Sequence, residues 1–154
     1  MTDWIFQGNR KRDDLDAAIS ASLLQWWSTP RYRDRTAVGD RVWLQIVGAD
    51  HPGIYYAAVI TTPTYEDHEW RDTGTAFGRW RTDIRFVYRI DPALLRAELL
   101  ADATLGSFRP FRGFQGSTVP LPPDVARALA ERAAPRLEVL APGGSGGAGR
   151  RQEG

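Results

Sequence analysis

Apolar and polar residues along this chain follow two periods, and together they predict an α+β domain. Trp4-Ile5-Phe6-Gln7 reads as a short buried strand, closed by Gly8-Asn9. The basic cluster Arg10-Lys11-Arg12 leads into a helix opening on Asp13, Asp14 and Asp16, where acidic side chains favour the positive end of the helix dipole. Leu15, Ile19, Leu23 and Trp26 then recur at offsets of 4, 8 and 11, a single helical stripe that makes Trp26 a core residue. Trp27 falls off that stripe at the helix end, immediately before Ser28-Thr29-Pro30.

Arg41 to Val47 alternates as a strand, His51-Pro52-Gly53 turns, and Ile54 to Thr61 is rich in β-branched and aromatic residues, which predicts a hairpin. Thr62 to Gly78 reads as a polar loop carrying Tyr65, Trp70 and Phe77; a loop of that length in a compact domain is usually functional or mobile. Arg79 to Ile90 predicts a long strand with Ile84, Phe86, Tyr88 and Ile90 on the core side and Arg81, Asp83, Arg85 and Arg89 opposite. Asp91-Pro92 has the form of a helix start, with the helix over Ala93 to Leu100. Gly106 to Leu121 is irregular, Pro122 to Ala134 forms the last helix with Val125 and Leu129 inward, and Arg136 to Leu140 adds a strand or turn. Residues 1–141 are read as one domain, and 142–154, rich in glycine and arginine, as a disordered tail. The order of elements predicts a small mixed barrel or curled sheet with helices outside, without fixing the order of its strands.

Composition narrows the chemistry. With 154 residues, 42% hydrophobic and 25% charged, the chain has the profile of a soluble globular protein. No apolar run is long enough to cross a bilayer, and the first residues lack the form of a signal peptide, so a cytoplasmic location and no membrane partner are expected. The absence of cysteine excludes disulfides, thiolate-held metal and a thiol nucleophile. His51 and His68 are the only histidines; Glu66 to Glu69 reads as a solvated acidic loop, and no metal or cofactor is expected. No nucleophile elbow, phosphate-binding loop, metalloprotease helix or dinucleotide fingerprint occurs, which argues against an enzyme. A monomer is assumed.

The net charge of +1 is uninformative, but nearly every basic residue is arginine. Codon bias in a GC-rich genome would produce that; so would a need for planar forks that bind phosphate. Six tryptophans are present. Trp4, Trp26 and Trp43 are assigned to the core. Trp27, Trp70, Phe77 and Trp80 fall at element ends or in loops among Arg31, Arg33, Arg71, Arg79 and Arg81. Aromatic faces interleaved with arginines suit an unstacked base and its phosphates.

Four segments in the same order, "WIFQGN", "WWSTPRY", "VGDRVWLQIVGADHPGIYYAAVI" and "FQGSTVPLPPDVARAL", make residues 3 to 135 similar to EVE domains of the PUA-like superfamily and, through them, to YTH domains. The resemblance implies a PUA-like curled sheet flanked by helices, and a non-catalytic module that lodges a flipped, methylated or hydroxymethylated base of DNA or RNA in an aromatic cage. It would make Trp27 one wall and Trp70 or Trp80 the other. Ser28 would offer its carbonyl to the base edge, Asn9 would reach the ring, and Gln7 and Gly8 would line the site. Arg10, Arg31, Arg33, Arg79 and Arg81 would hold the backbone. The family's first strand typically ends in Lys-Ser; Gln7-Gly8 stands there instead, removing a charge and a hydroxyl for which Arg10 or Arg31 would compensate. Gln115 and Ser117 would touch the ligand or form a turn that needs Gly116. Two other functions remain open, a PUA-like RNA-binding module indifferent to base modification and a small enzyme acting on a nucleotide.

Overall fold

The computed structural model describes residues 1–9, 12–21, 25–48, 51–67 and 79–140. Its elements run β1 (Asp3–Gly8), α1 (Arg12–Ser20), β2 (Trp26–Ser28), β3 (Arg41–Ile46), β4 (Gly53–Ile60), β5 (Tyr65–Glu66), β6 (Trp80–Leu95), α2 (Arg96–Ala101), β7 (Thr118–Pro120), α3 (Pro123–Ala133) and β8 (Leu137–Val139). One sheet has the order β2-β6-β4-β3-β1-β7, with β5 and β8 also paired to β6. β1 lies parallel to β3, with Trp4 opposite Val42, and antiparallel to β7. This is the α+β curled sheet that the sequence pattern implies.

The middle of β1, Trp4-Ile5-Phe6, is continuously apolar because both faces of the strand are covered there. Ile5 joins Trp43, Ile54, Ile90 and Leu94 in a cluster capped by Leu99, Phe111, Val125 and Leu129 from α2, α3 and the turn between α2 and β7. Trp4 and Phe6 join Val42, Leu44, Ile46 and Ile60 in a second cluster, on the face that Leu15 and Ile19 of α1 cover. A buried indole N–H needs an acceptor. Trp4 Nε1 donates to Asp40 at 2.9 Å and Trp43 Nε1 to Asp3 at 3.0 Å, so two aspartates tie the largest core residues to strand ends.

Three expectations are corrected. The first helix ends at Ser20, and Trp26 and Trp27 lie on β2. Hydrogen bonds from Ile84 N–H to the Gln25 carbonyl (3.0 Å) and from Thr29 N–H to the Trp80 carbonyl (2.9 Å) bracket β2 against β6, and this pairing prevails over the helical periodicity. Second, Asp91-Pro92 does not start a helix. β6 continues to Leu95, and α2 starts at Arg96. Between the pairs Ile54–Leu94 and Tyr56–Arg89, β4 advances two residues while β6 advances five. The cis-linked Pro92 sits in that irregular stretch, where its missing N–H costs the sheet nothing. Third, the predicted core face of β6 is split. Ala57 pairs with Tyr88 but Ala58 with Phe86, and the extra residue, Val87, moves the side chains to the opposite face. Ile84 and Phe86 therefore pack with the α1-side cluster, Tyr88 and Ile90 with the other. The polar loop also contributes β5, and the irregular segment β7.

Asp16 fastens α1 to the sheet: it accepts from the Tyr56 hydroxyl and lies 3.5 Å from Arg89. Burial, then Asp16, pushes the Tyr56 hydroxyl above its ordinary range. On the other face Glu98 of α2 bonds Arg136 (2.9 Å) and Arg132 (3.3 Å), and Arg132 also reaches Asp102 at 2.9 Å. The Arg136 bond holds the Glu98 carboxyl below its usual range. Because the folded value is the lower one, the clamp's contribution is complete above the ordinary glutamate range of about 4.3 and is lost as pH falls through the depressed value. Denaturant titrations of wild type and Glu98→Gln should differ at neutral pH and converge as pH falls below the ordinary glutamate range.

Candidate functional site

The ends of the strand order meet at a seam. In β2, Trp27 pairs with Thr82 and Ser28 with Arg81. Alternation along the strand puts Trp26 and Trp27 on opposite faces. Trp26 is half-buried on the outer face, with the Arg81 guanidinium 3.8 Å from its ring centroid, so its assignment to the core is corrected. Trp27 points inward and stacks on Phe6 of β1 at 6.1 Å and 25°. Glycine at position 8 permits this approach, because a Cβ there would meet Trp27 Cη2 at 3.1 Å and Cζ2 at 3.2 Å. Trp27 remains only half-buried.

The hydrogen-bond alternation of β2 settles where Ser28 points. The Gln25–Ile84 and Thr29–Trp80 pairs carry ladder bonds. Ser28–Arg81 lies between them and Trp27–Thr82, and therefore falls at a non-bonded position of the antiparallel ladder. The Ser28 N–H and C=O thus face away from β6 into the seam, and the Ser117 hydroxyl donates to that carbonyl. That bond uses one of the carbonyl's two lone pairs, and Ser28 itself is buried. Ser117 in turn accepts at its backbone oxygen from Gln7 N–H at 2.8 Å, tying β1, β2 and the start of β7 at one point.

Gln7 does not have the role expected of it. Its Nε2 donates to the carbonyls of Phe114 (2.7 Å) and Gly116 (3.4 Å), and its Oε1 accepts from Phe114 N–H (3.2 Å) and Gln45 Nε2 (3.0 Å). Four bonds exhaust a primary amide, so Gln7 clips the 114–117 loop and has nothing left for a base edge. Asn9 is exposed just beyond β1 and makes no hydrogen bond among the described residues; its Oδ1 lies 3.6 Å from where a Cβ on Gly48 would be. Gln115 is exposed, and Gly116 has φ +106, which a turn with glycine explains.

Trp80 opens β6 two residues before Thr82, so its side chain shares the face of Trp27. It is half-buried, with Arg33 at 4.5 Å and Arg79 at 5.4 Å from its ring centroid. The arginines divide. Arg79 pairs with Glu66 at 2.6 Å and Arg81 with Asp67 at 3.1 Å, so both have carboxylate partners. Arg31 and Arg33 are exposed after β2 and have no carboxylate partner among the described residues. Arg10, Trp70, Arg71, Phe77 and the 142–154 tail lie outside the described residues.

The sequence reading missed Gln45, buried at 1% exposure in the run Val42-Trp43-Leu44-Gln45-Ile46. A lone polar residue in a strand covered on both faces was its available signal.

No protein-family model matches the sequence, and no curated protein matches it either. Solved structures do match. A hypothetical protein from Leishmania major superposes with a TM-score of 0.68 at 20% identity, over 88% of this chain and 96% of its own. The human THYN1 protein in complex with 5-methylcytosine-containing DNA gives 0.68 at 15% identity, over 86% of this chain and 98% of its own. The YTH domain of Zygosaccharomyces rouxii MRB1 in complex with N6-methyladenosine RNA gives 0.53 at 11% identity, over 85% of each chain. The likeness spans most of each chain and is one of fold: this chain has the α+β curled-sheet fold of these proteins.

Proposed function

We propose that this chain is a non-catalytic module that binds DNA or RNA and reads a flipped, modified base at the seam. The observation that carries this reading is Trp27, a half-buried ring beside a strand edge whose backbone N–H and C=O leave the ladder. One face of the indole is backed by Phe6 and the open side offers a stacking surface. Ser28 presents a donor and an acceptor next to it, and the Asn9 amide can supply one more of either kind. Trp80 forms the second wall. Diagonal neighbours on a sheet face stand about 7–8 Å apart, close to twice the ~3.5 Å separation of stacked carbon atoms. Extruding a base costs a few kcal/mol and stacking returns about 1–3 kcal/mol per base, so two rings and edge bonds balance the cost. Arg31 and Arg33 hold the flanking phosphates, with Arg79 and Arg81 contributing only where they leave their carboxylates. Two proteins of this fold, one with 5-methylcytosine DNA and one with N6-methyladenosine RNA, support the reading.

The test is a set of single-stranded and duplex oligonucleotides that differ in one base, plain, methylated or hydroxymethylated, titrated by fluorescence anisotropy at fixed salt. At least one modification should bind ten-fold more tightly than its plain counterpart, about 1.4 kcal/mol. Equal, salt-dependent affinity across the set would instead indicate a module that binds nucleic acid without regard to modification.

A further inference from the structure

Gln45 stands behind the candidate site and is hydrogen-bonded to Gln7. Its Nε2 donates one hydrogen to Gln7 Oε1 at 3.0 Å and the other to the Pro110 carbonyl at 2.8 Å. Both partners accept only, which fixes the amide with nitrogen towards them. The consequence is that Gln45 Oε1 is buried without a partner among the described residues. An orphaned buried acceptor destabilises the fold, because its desolvation is not repaid by a bond. An apolar residue like its β3 neighbours would spare the fold that penalty, so the two donors are what the position supplies.

Those donors begin a continuous path to the seam. Gln45 orients Gln7 Oε1, which accepts Phe114 N–H at 3.2 Å, while Gln7 Nε2 holds the Phe114 carbonyl at 2.7 Å. The loop so fixed delivers Ser117, whose hydroxyl occupies one lone pair of the Ser28 carbonyl. Gln45 also pins the Arg109–Arg112 turn through Pro110, fixing the loop's entry as well as its middle. Gly113, between the two anchor points, has φ +100, and a Cβ on it would lie 3.8 Å from Val47 Cγ1 and 3.9 Å from Gln7 Oε1, so the loop passes close over the ends of β1 and β3.

We propose that Gln45 is a positioning residue for base selectivity, acting through the Gln7 amide and the 114–117 loop to set the Ser28 edge that a bound base meets. This rests on the reader function proposed above. An isosteric Gln45→Glu places a carboxylate against two acceptors, and repulsion releases the relay; protonation returns one donor. Gln45→Met fills the same space with no donor at all.

Two measurements separate the relay from the reading it serves. Amide hydrogen exchange of free protein reads the relay without ligand. In Gln45→Met, exchange at Phe114 should accelerate at least ten-fold while amides of β3 and β4 keep their rates. The affinity ratio between the best modified oligonucleotide and its plain counterpart reads selectivity; it should fall at least five-fold in Gln45→Met. In Gln45→Glu the ratio should recover as pH is lowered from 8 towards 5, a change that a simple packing defect would not give. Unaltered Phe114 exchange overturns the relay whether or not any oligonucleotide binds, and accelerated exchange with an unchanged ratio, where wild type discriminates, overturns the selectivity role. A wild-type protein with no preference among bases, yet with fast Phe114 exchange in the variant, overturns the reader function and with it the selectivity role, leaving the contact itself established.

Discussion

Trp27→Ala should weaken binding of a modified-base oligonucleotide by about 10- to 100-fold, the loss expected for one base–aromatic stack of roughly 1–3 kcal/mol. Affinity for the plain oligonucleotide should fall much less, because phosphate contacts at Arg31 and Arg33 do not pass through the indole. Trp27 also packs against Phe6 and Gly8, so the variant loses about 2 kcal/mol of stability, less than for a fully buried tryptophan. Urea titration measures that cost, and binding is then compared where both proteins are folded. Trp27→Phe keeps a stacking face and should retain most of the affinity. Gly8→Val offers an independent route to the same ring: its branched side chain occupies the space at 3.1–3.2 Å from the indole edge and displaces Trp27 without deleting it. Unchanged discrimination in both Trp27→Ala and Gly8→Val would sink the aromatic slot.

The seam explains why the proposed site is placed there. Along the rest of the sheet, backbone ladders join the strands and leave no room for a ligand. At the closure, β2 has only three residues and pairs through its backbone with β6 alone. Its other edge meets β1 and β7 through side chains, a stacked Trp27–Phe6 pair and a serine hydroxyl. A sheet edge whose N–H and C=O groups leave the ladder is a ready template for polar recognition. Here the strand is too short to recruit another chain and is flanked by aromatic faces, which favours a planar ligand over a peptide strand.

Much of this was legible in the residues, and the gaps have physical causes. The continuous apolar run of β1 announced a strand buried on both faces, and it is one. The doublet Trp26–Trp27, read from the sequence as a core residue and a cage wall, is sent to opposite faces by strand alternation, which reverses the burial assigned to Trp26. Periodicity failed there because the stripe from Leu15 was extended past the end of α1, where only pairing with a strand some 55 residues later in the chain decides the conformation. Asp91-Pro92 carried a helix-start signature, yet a long strand with an irregular register accommodates the same dipeptide. Ser117 and Gln115 drew equal expectations; the structure gives Ser117 a partner at the seam and leaves Gln115 exposed. Gln45 stayed unread because an amide's value depends on which acceptors the fold brings to it, and Pro110 is 65 residues away.

Gly53→Ala should be strongly destabilising, by about 3 kcal/mol or roughly 10 °C in Tm. In the sequence Gly53 looks like the last residue of a His-Pro-Gly turn. In the structure it opens β4, paired on one side with Ile46 and on the other with Leu95. A Cβ there would lie 2.4 Å from the Leu94 carbonyl oxygen and 2.8 Å from Leu95 Cα, both backbone atoms that no rotamer can move. Relief requires shifting the end of β6. That shift would carry Leu94, which is fully buried, and the bond from Arg96 N–H to the Pro52 carbonyl at 2.8 Å that sets the start of α2. Gly39→Ala serves as the control. Its φ of +93 disfavours a side chain, but nothing stands within 4 Å of the added Cβ, so it should cost only about 1–2 kcal/mol. Thermal unfolding of the two variants beside wild type decides the matter: a Gly53→Ala protein as stable as Gly39→Ala would mean that the glycine serves the turn, and that β4 and β6 do not need its missing side chain to meet.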